Sequence, residues 1–204
     1  MTHQSQPDLA DLKTLLTNTA VFGKNLGPFL LQFPEWVELS HLRKLKPVFD
    51  MVSMTASAVI EVRNQSFFNQ PSLLEPLLGH YGFGRVILDS RPLYKGNVEH
   101  PEVVAAIHEK PDLPVLYSMY SQQILVRLIL HPDGISNAHW IDVWARQTAN
   151  WIDEGLVPCI MIHCPNNLHC PLFAEQFHRE VRRYANVKLP ALPPWPVPRQ
   201  GQLL

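Results

Sequence analysis

Five short runs in this chain are apolar at consecutive positions rather than at every second one. They are residues 28–33 (PFLLQF), 58–62 (AVIEV), 85–88 (RVIL), 124–130 (ILVRLIL) and 158–163 (PCIMIH). A strand with one wet face alternates apolar and polar residues; a run apolar on both alternations is a strand covered on both sides, as in a parallel sheet. Between the runs the apolar spacing changes to three or four. Leu39, Leu42, Leu45 and Phe49 predict a helix that Ser40 caps, and Leu73, Leu74, Leu77 and Leu78 predict another behind Pro71 and Ser72. Residues 137–154 give the clearest stripe, with Trp140, Val143, Trp144, Thr148, Trp151 and Ile152 read as core, and Gly155 where a helix ends on a left-handed residue. A further helix is expected over 9–18. The stretch 92–119 has no period and reads as a long loop with at most a short helix. Strand and helix in alternation predict an α/β domain built on a mainly parallel sheet.

Composition narrows the class of function. The 204 residues carry 17 Lys+Arg against 18 Asp+Glu, a formal charge of -1, with 46% hydrophobic and 17% charged residues. Such a chain is neither disordered nor a coiled coil, and a near-neutral charge does not hold a protein to nucleic acid or to an anionic bilayer. No run approaches the roughly 20 apolar residues of a membrane helix. Residues 1–20 lack the basic start and apolar centre of a signal peptide. Cys159, Cys164 and Cys170 are odd in number and crowded together, so a disulfide framework is not expected and a reducing cytoplasm is. The organisation expected is one domain over 1–189 and a proline-rich tail over 190–204. Five of the nine residues 190–198 are prolines, and the tail is expected to lie on the domain through Leu192 and Trp195.

Chemistry gathers at the ends of the strands. AVIEVRN ends in Glu61 and Arg63, and RVILDSRP ends in Asp89 and Arg91, so each carboxylate stands two residues from an arginine on the same side of its strand. The fourth run carries Arg127 and leads to His131, the fifth ends in His163 and leads to Asn166, and the first ends near Gln32. Together these residues are expected to form one ring at the carboxyl ends of the strands, where (β/α) barrels place their sites. Glu61 and Asp89 are candidate general acids or bases, His131 and His163 candidate proton carriers, and Arg63, Arg91 and Arg127 a candidate clamp for a carboxylate or phosphate, with Gln32 and Asn166 as further ligand contacts. The competing reading has each arginine neutralise only the carboxylate beside it. His163, Cys164, His169 and Cys170 do not have a familiar zinc spacing, and adjacent strand residues point to opposite faces, so no metal site is expected. No Gly-rich phosphate loop, G-x-S-x-G, H-E-x-x-H or C-x-x-C motif occurs, and no cofactor is identified.

The motifs LGPFLLQFP, AVIEVRN, RVILDSRPLY and PCIMIHCPNNLHCPLFAEQFH, in that order, resemble those of the YecE-like family of uncharacterised proteins, from about His3 onward. The resemblance implies a TIM-barrel fold and matches Glu61, Arg63, Asp89, Arg91, His163 and Asn166 to motif positions. It does not imply an activity. The three earlier strands of the family's pattern have no counterpart here, so the expectation is an incomplete barrel of five strands with the first three β/α units missing. Such a chain would be marginally stable and would self-associate through an exposed edge strand. The functional expectation is an enzyme acting on a small polar or anionic metabolite at the carboxyl face. The alternatives are a non-catalytic binding or scaffold barrel and a truncated, inactive copy.

Overall fold

A computed structural model describes residues 8–117 and 121–193. Five strands, β1 (Phe29–Gln32), β2 (Ala58–Glu61), β3 (Gly84–Asp89), β4 (Leu125–Ile129) and β5 (Cys159–His163), form one sheet in the order β1-β2-β3-β4-β5, each pair parallel. The helices are α1 (Leu9–Thr19), α2 (Leu42–Ser53), α3 (Ser66–Asn69), α4 (Pro71–Tyr81), α5 (Arg91–Lys95), α6 (Pro101–Ala106), α7 (Ala138–Asp153) and α8 (Cys170–Tyr184). All five expected strands are present. Right-handed crossovers between strands laid down in sequential order put successive helices on the same face, and the packing follows. Leu31, Phe33, Ala58 and Ile60 pack with α1, α2, α3 and α4. Ile87, Val126, Leu128 and Leu130 pack with α7 and α8. Each such buried aliphatic side chain contributes about 1.5–3 kcal/mol relative to exposure.

The register assigns the opposite face. Leu30 pairs with Val59, Gln32 with Glu61, Val59 with Gly84, Leu88 with Arg127, and Arg127 with Met161. That face carries a small apolar layer of Val59, Val86 and Leu125, with Leu30 against it. The sheet is curled around this face. Arg127 on β4 donates to Gln32 on β1 over 3.3 Å, although three inter-strand steps in a flat sheet span about 14 Å. At the amino ends of the strands, Pro28 ahead of β1 and Cys159 on β5 line a common cleft of about 610 Å³.

Three local readings need correction. Ser40 is not the cap of α2; it lies in a 3₁₀ turn over Leu39–His41, where the Glu38 N–H donates to His41 Nδ1 at 3.0 Å. The stripe of α7 is buried through Ile141, Trp144, Ala145, Thr148, Ala149 and Trp151, while Trp140 and Ile152 sit at its margin. Gly155 does take the left-handed φ, +83°. The stretch 92–119 holds α6 and most of α5, and Leu93, Val103 and Leu113 cover Leu88 and Ile129 on the inner face. Its apolar residues escape helical periodicity because each helix is barely one turn long. Of the tail, the part through Pro193 is described. The Arg182 Nε–H donates to the Leu189 carbonyl and the His178 ring bonds that of Pro190, while Leu192 is 39% exposed. Residues 194–204, including Trp195, lie outside the described residues.

Gly84 opens β3 because no side chain fits there: a Cβ would lie 2.2 Å from the Gln123 carbonyl oxygen and 3.1 Å from Val59 Cγ1. Gly84→Ala is expected to destabilise the domain by about 1–3 kcal/mol through overpacking. Urea unfolding checks this, and an unchanged midpoint would contradict the close approach.

Candidate functional site

At the carboxyl end of the curled inner face, five side chains from β1, β2, β4, β5 and the loop after β2 meet. Glu61 is 1% exposed and each of its oxygens is held by an arginine. Arg63 Nε donates to Oε1 at 3.0 Å and Arg127 Nη1 to Oε2 at 2.5 Å. Arg127 also donates to Gln32 Oε1 at 3.3 Å and, through Nε, to His163 Nε2 at 3.4 Å. The i, i+2 spacing brought Arg63 to Glu61, but Arg127 and His163 arrive only because β4 and β5 curl toward β2. One carboxylate faces two guanidiniums, and among the described residues the Arg63 Nη atoms and Arg127 Nη2 have no hydrogen-bond partner. The Arg63 side chain is 25% exposed, so those donors open outward. The geometry suits a planar or tetrahedral oxyanion.

His163 is held far below its ordinary range, to about 4, first by burial and then by the positive charges of Arg127 and Lys110, with Glu61 opposing. Accepting the Arg127 N–H leaves its proton on Nδ1. It is therefore a neutral imidazole at pH 7, with its one lone pair, on Nε2, turned to the Arg127 N–H.

The other expected members of the ring are not brought here. Ile60 pairs with Arg85, which levels Glu61 with Val86, and Asp89 stands three residues further along β3. Three is odd, so Asp89 points to the opposite face. There it is fully buried, accepting from Trp144 Nε1 of α7 at 2.7 Å and from Arg91 Nε and Nη2 at 2.9 and 2.7 Å. Arg91 lies over the Trp140 ring, 4.8 Å from its centroid. His131 is buried in a loop lock. Its Nδ1 accepts the Asp133 N–H at 2.9 Å, which places the proton on Nε2 to meet the Asn97 carbonyl at 3.1 Å. Asn137 bonds both its N–H and its carbonyl. Asn166 accepts the Leu168 N–H and donates to Glu102 on α6 at 3.1 Å.

Sequence reasoning missed Trp144 as the partner of Asp89, because a tryptophan in an apolar stripe shows no sign of using its N–H. The cysteines are poor metal ligands as they stand: burial raises all three thiols above their usual range, Cys164 to about 11. Among the described residues no group of three or more His, Cys, Asp and Glu is placed to hold a metal ion, and no helix is long and apolar enough to cross a membrane.

Comparison with known proteins agrees with the motif resemblance. The model of the family described as "Protein of unknown function DUF72" matches residues 1–198. The UPF0759 protein YecE of Escherichia coli (strain K12) is 27% identical over 198 residues, 95% of this chain and 71% of that protein. Its counterpart in Escherichia coli O157:H7 is 26% identical over the same shares. Two crystal structures of a DUF72 family protein from Enterococcus faecalis V583 superpose with TM-scores of 0.53 and 0.50. At 18% identity they cover 88% and 90% of this chain and 66% and 68% of theirs, a likeness of fold.

Two outcomes follow from these environments. Trp144→Phe keeps the ring but leaves a buried Asp89 oxygen without one donor, at a cost of about 1–3 kcal/mol, read from the denaturation midpoint. His163 carries a folded-state pKa below its unfolded value of about 6.5, so the unfolded chain binds more protons between pH 6.5 and about 4. Its contribution is intact above pH 6.5 and is lost as the pH falls through that window. His163→Gln is expected to flatten this part of the stability–pH curve, measured by urea melts at pH 7 and pH 5. An unchanged slope would show the imidazole to be solvated.

Proposed function

Because this chain belongs to the DUF72 family, whose members are described as proteins of unknown function, its role has to be read from the site, and we propose that the inner carboxyl end of the sheet binds a small anionic metabolite. Arg63 and Arg127 are the clamp, Glu61 is the counter-charge that holds both guanidiniums in place, and His163 is a neutral acceptor that orients Arg127. The observation that carries this reading is the excess of two guanidiniums over one carboxylate, with guanidinium donors that no described residue uses. Asp89, by contrast, is closed by Arg91 and Trp144. Asp89, Arg91 and His131 therefore fall outside the proposed site, and Gln32 supports Arg127.

A non-catalytic binding role is the second reading, favoured by the engagement of both Glu61 oxygens. As the site stands, both Glu61 oxygens and the one lone pair of His163 are held by arginines, so neither group is free to take a proton. Turnover of a bound anion separates the two.

The finer architecture belongs to the same proposal. Five consecutive parallel strands, helices on one face and a polar cluster at the carboxyl end of the other support the arc of an eight-strand barrel wall. Exposure of Cys159 and Met161 on the inner face of β5, the last strand of the sheet, supports self-association along that edge, which sedimentation velocity would detect. Three free cysteines support a reducing compartment.

Arg127→Met is expected to weaken binding of acetate or phosphate at least about tenfold, since a lost charge-assisted contact is worth roughly 1.5–3 kcal/mol. Glu61→Gln, which removes the counter-charge that holds both guanidiniums in place, is expected to weaken it as well. Calorimetric titration checks both, and equal affinity in Arg127→Met and wild type would remove the proposal.

A further inference from the structure

The inner face of β5 continues from the clamp as an open, apolar strip. Parallel pairing sets Met161 beside Arg127 and Cys159 beside Leu125, and residues paired on neighbouring strands lie about 4.8 Å apart with their side chains on one face. His163, Met161 and Cys159 therefore follow one another down the inner face at alternate positions. His163 reaches Arg127 Nε at 3.4 Å, while Ile160 and Ile162 turn the other way and pack with α7 and α8. Met161 is 37% exposed and Cys159 is exposed as well. Leu125, Val86 and Val59, further round the same face, are buried against one another. Past Met161 the strip ends in the cleft of about 610 Å³ that Cys159 lines with Pro28 and Ile124. Guanidinium donors that no described residue uses thus stand beside exposed apolar surface that leads into open space.

We infer that the anion taken by this site is amphiphilic, a carboxylate with an aliphatic chain, its head on Arg63 and Arg127 and its chain along β5 over Met161 toward Cys159. The inference rests on the anion-binding reading above and adds the other half of the ligand. Two guanidiniums against Glu61, with His163 neutral, leave one positive charge, which a monocarboxylate matches. The two residues from Met161 to Cys159 span about 6.7 Å, roughly five carbon–carbon bonds of an extended chain. A methionine adapts its shape to such a chain, and laying one on the other removes both apolar surfaces from water. A bare oxyanion would use the guanidinium donors and leave the strip wet.

The test is calorimetric titration of the full chain at pH 8 with acetate, butanoate and hexanoate, in wild type, Met161→Ser and Met161→Leu. Affinity is expected to rise along the series, hexanoate binding at least about tenfold more tightly than acetate, since each fully buried methylene is worth roughly fourfold. Met161→Ser is expected to remove most of that gain while leaving acetate affinity and the urea midpoint unchanged, and Met161→Leu to keep it. Hexanoate, and not acetate, is expected to slow alkylation of Cys159 by N-ethylmaleimide, followed by mass spectrometry. Acetate binding with no gain along the series, or a gain undiminished in Met161→Ser, overturns the inference and leaves the clamp standing. Cys159 shielded without any ligand, in a protein that sediments as a dimer, gives the strip to a second copy and overturns it too. Binding of no anion by wild type removes the clamp and the strip together.

Discussion

A single guanidinium ties the inner face together. Arg127 starts on β4 and reaches the side chains of Gln32 on β1, Glu61 on β2 and His163 on β5. Contacts from one side chain to three other strands are in keeping with a curled sheet. The charge is 11% exposed and would be costly to bury alone. Glu61 offsets it and is in turn held by Arg63. In a low-dielectric interior such a network holds its geometry because losing any member strands another buried charge.

The two faces of the sheet use charge differently. On the helix-covered face, Asp89 is saturated by Trp144 and Arg91, and it pins α7 to β3. Arg85 on the same face lies 3.7 Å from Glu75 of α4 and over the Phe68 ring. These groups fix helices to strands, although the buried Nη1 of Arg85 has no hydrogen-bond partner among the described residues. On the inner face one carboxylate, Glu61, faces two guanidiniums.

The β3–β4 connection closes one side of the inner face. Its apolar residues cover Leu88 and Ile129, Asn166 after β5 donates to Glu102, and the Tyr94 hydroxyl donates to the carbonyls of Ile107 and Lys110. Built from one-turn helices, it gains stability from packing more than from helix propensity.

Much of this was legible before any coordinates. Runs apolar on both alternations identify β1 to β5, although β5 is not buried on both faces, and the i, i+2 rule joins Glu61 to Arg63 and Asp89 to Arg91. The ring of charges was not legible. Whether Glu61 and Asp89 share a face depends on how β2 and β3 are staggered, and the observed pairing of Ile60 with Arg85 puts them on opposite faces. A shift of one residue would have joined them. The role of His131, whose Nε2 meets the Asn97 carbonyl, depends likewise on a partner distant in sequence. Local sequence determined which residues form strands and which neighbours two apart must meet, because backbone geometry alone enforces both. Register, curl and the fold of the β3–β4 connection decided which charges meet across strands, because those depend on packing between segments far apart in the chain.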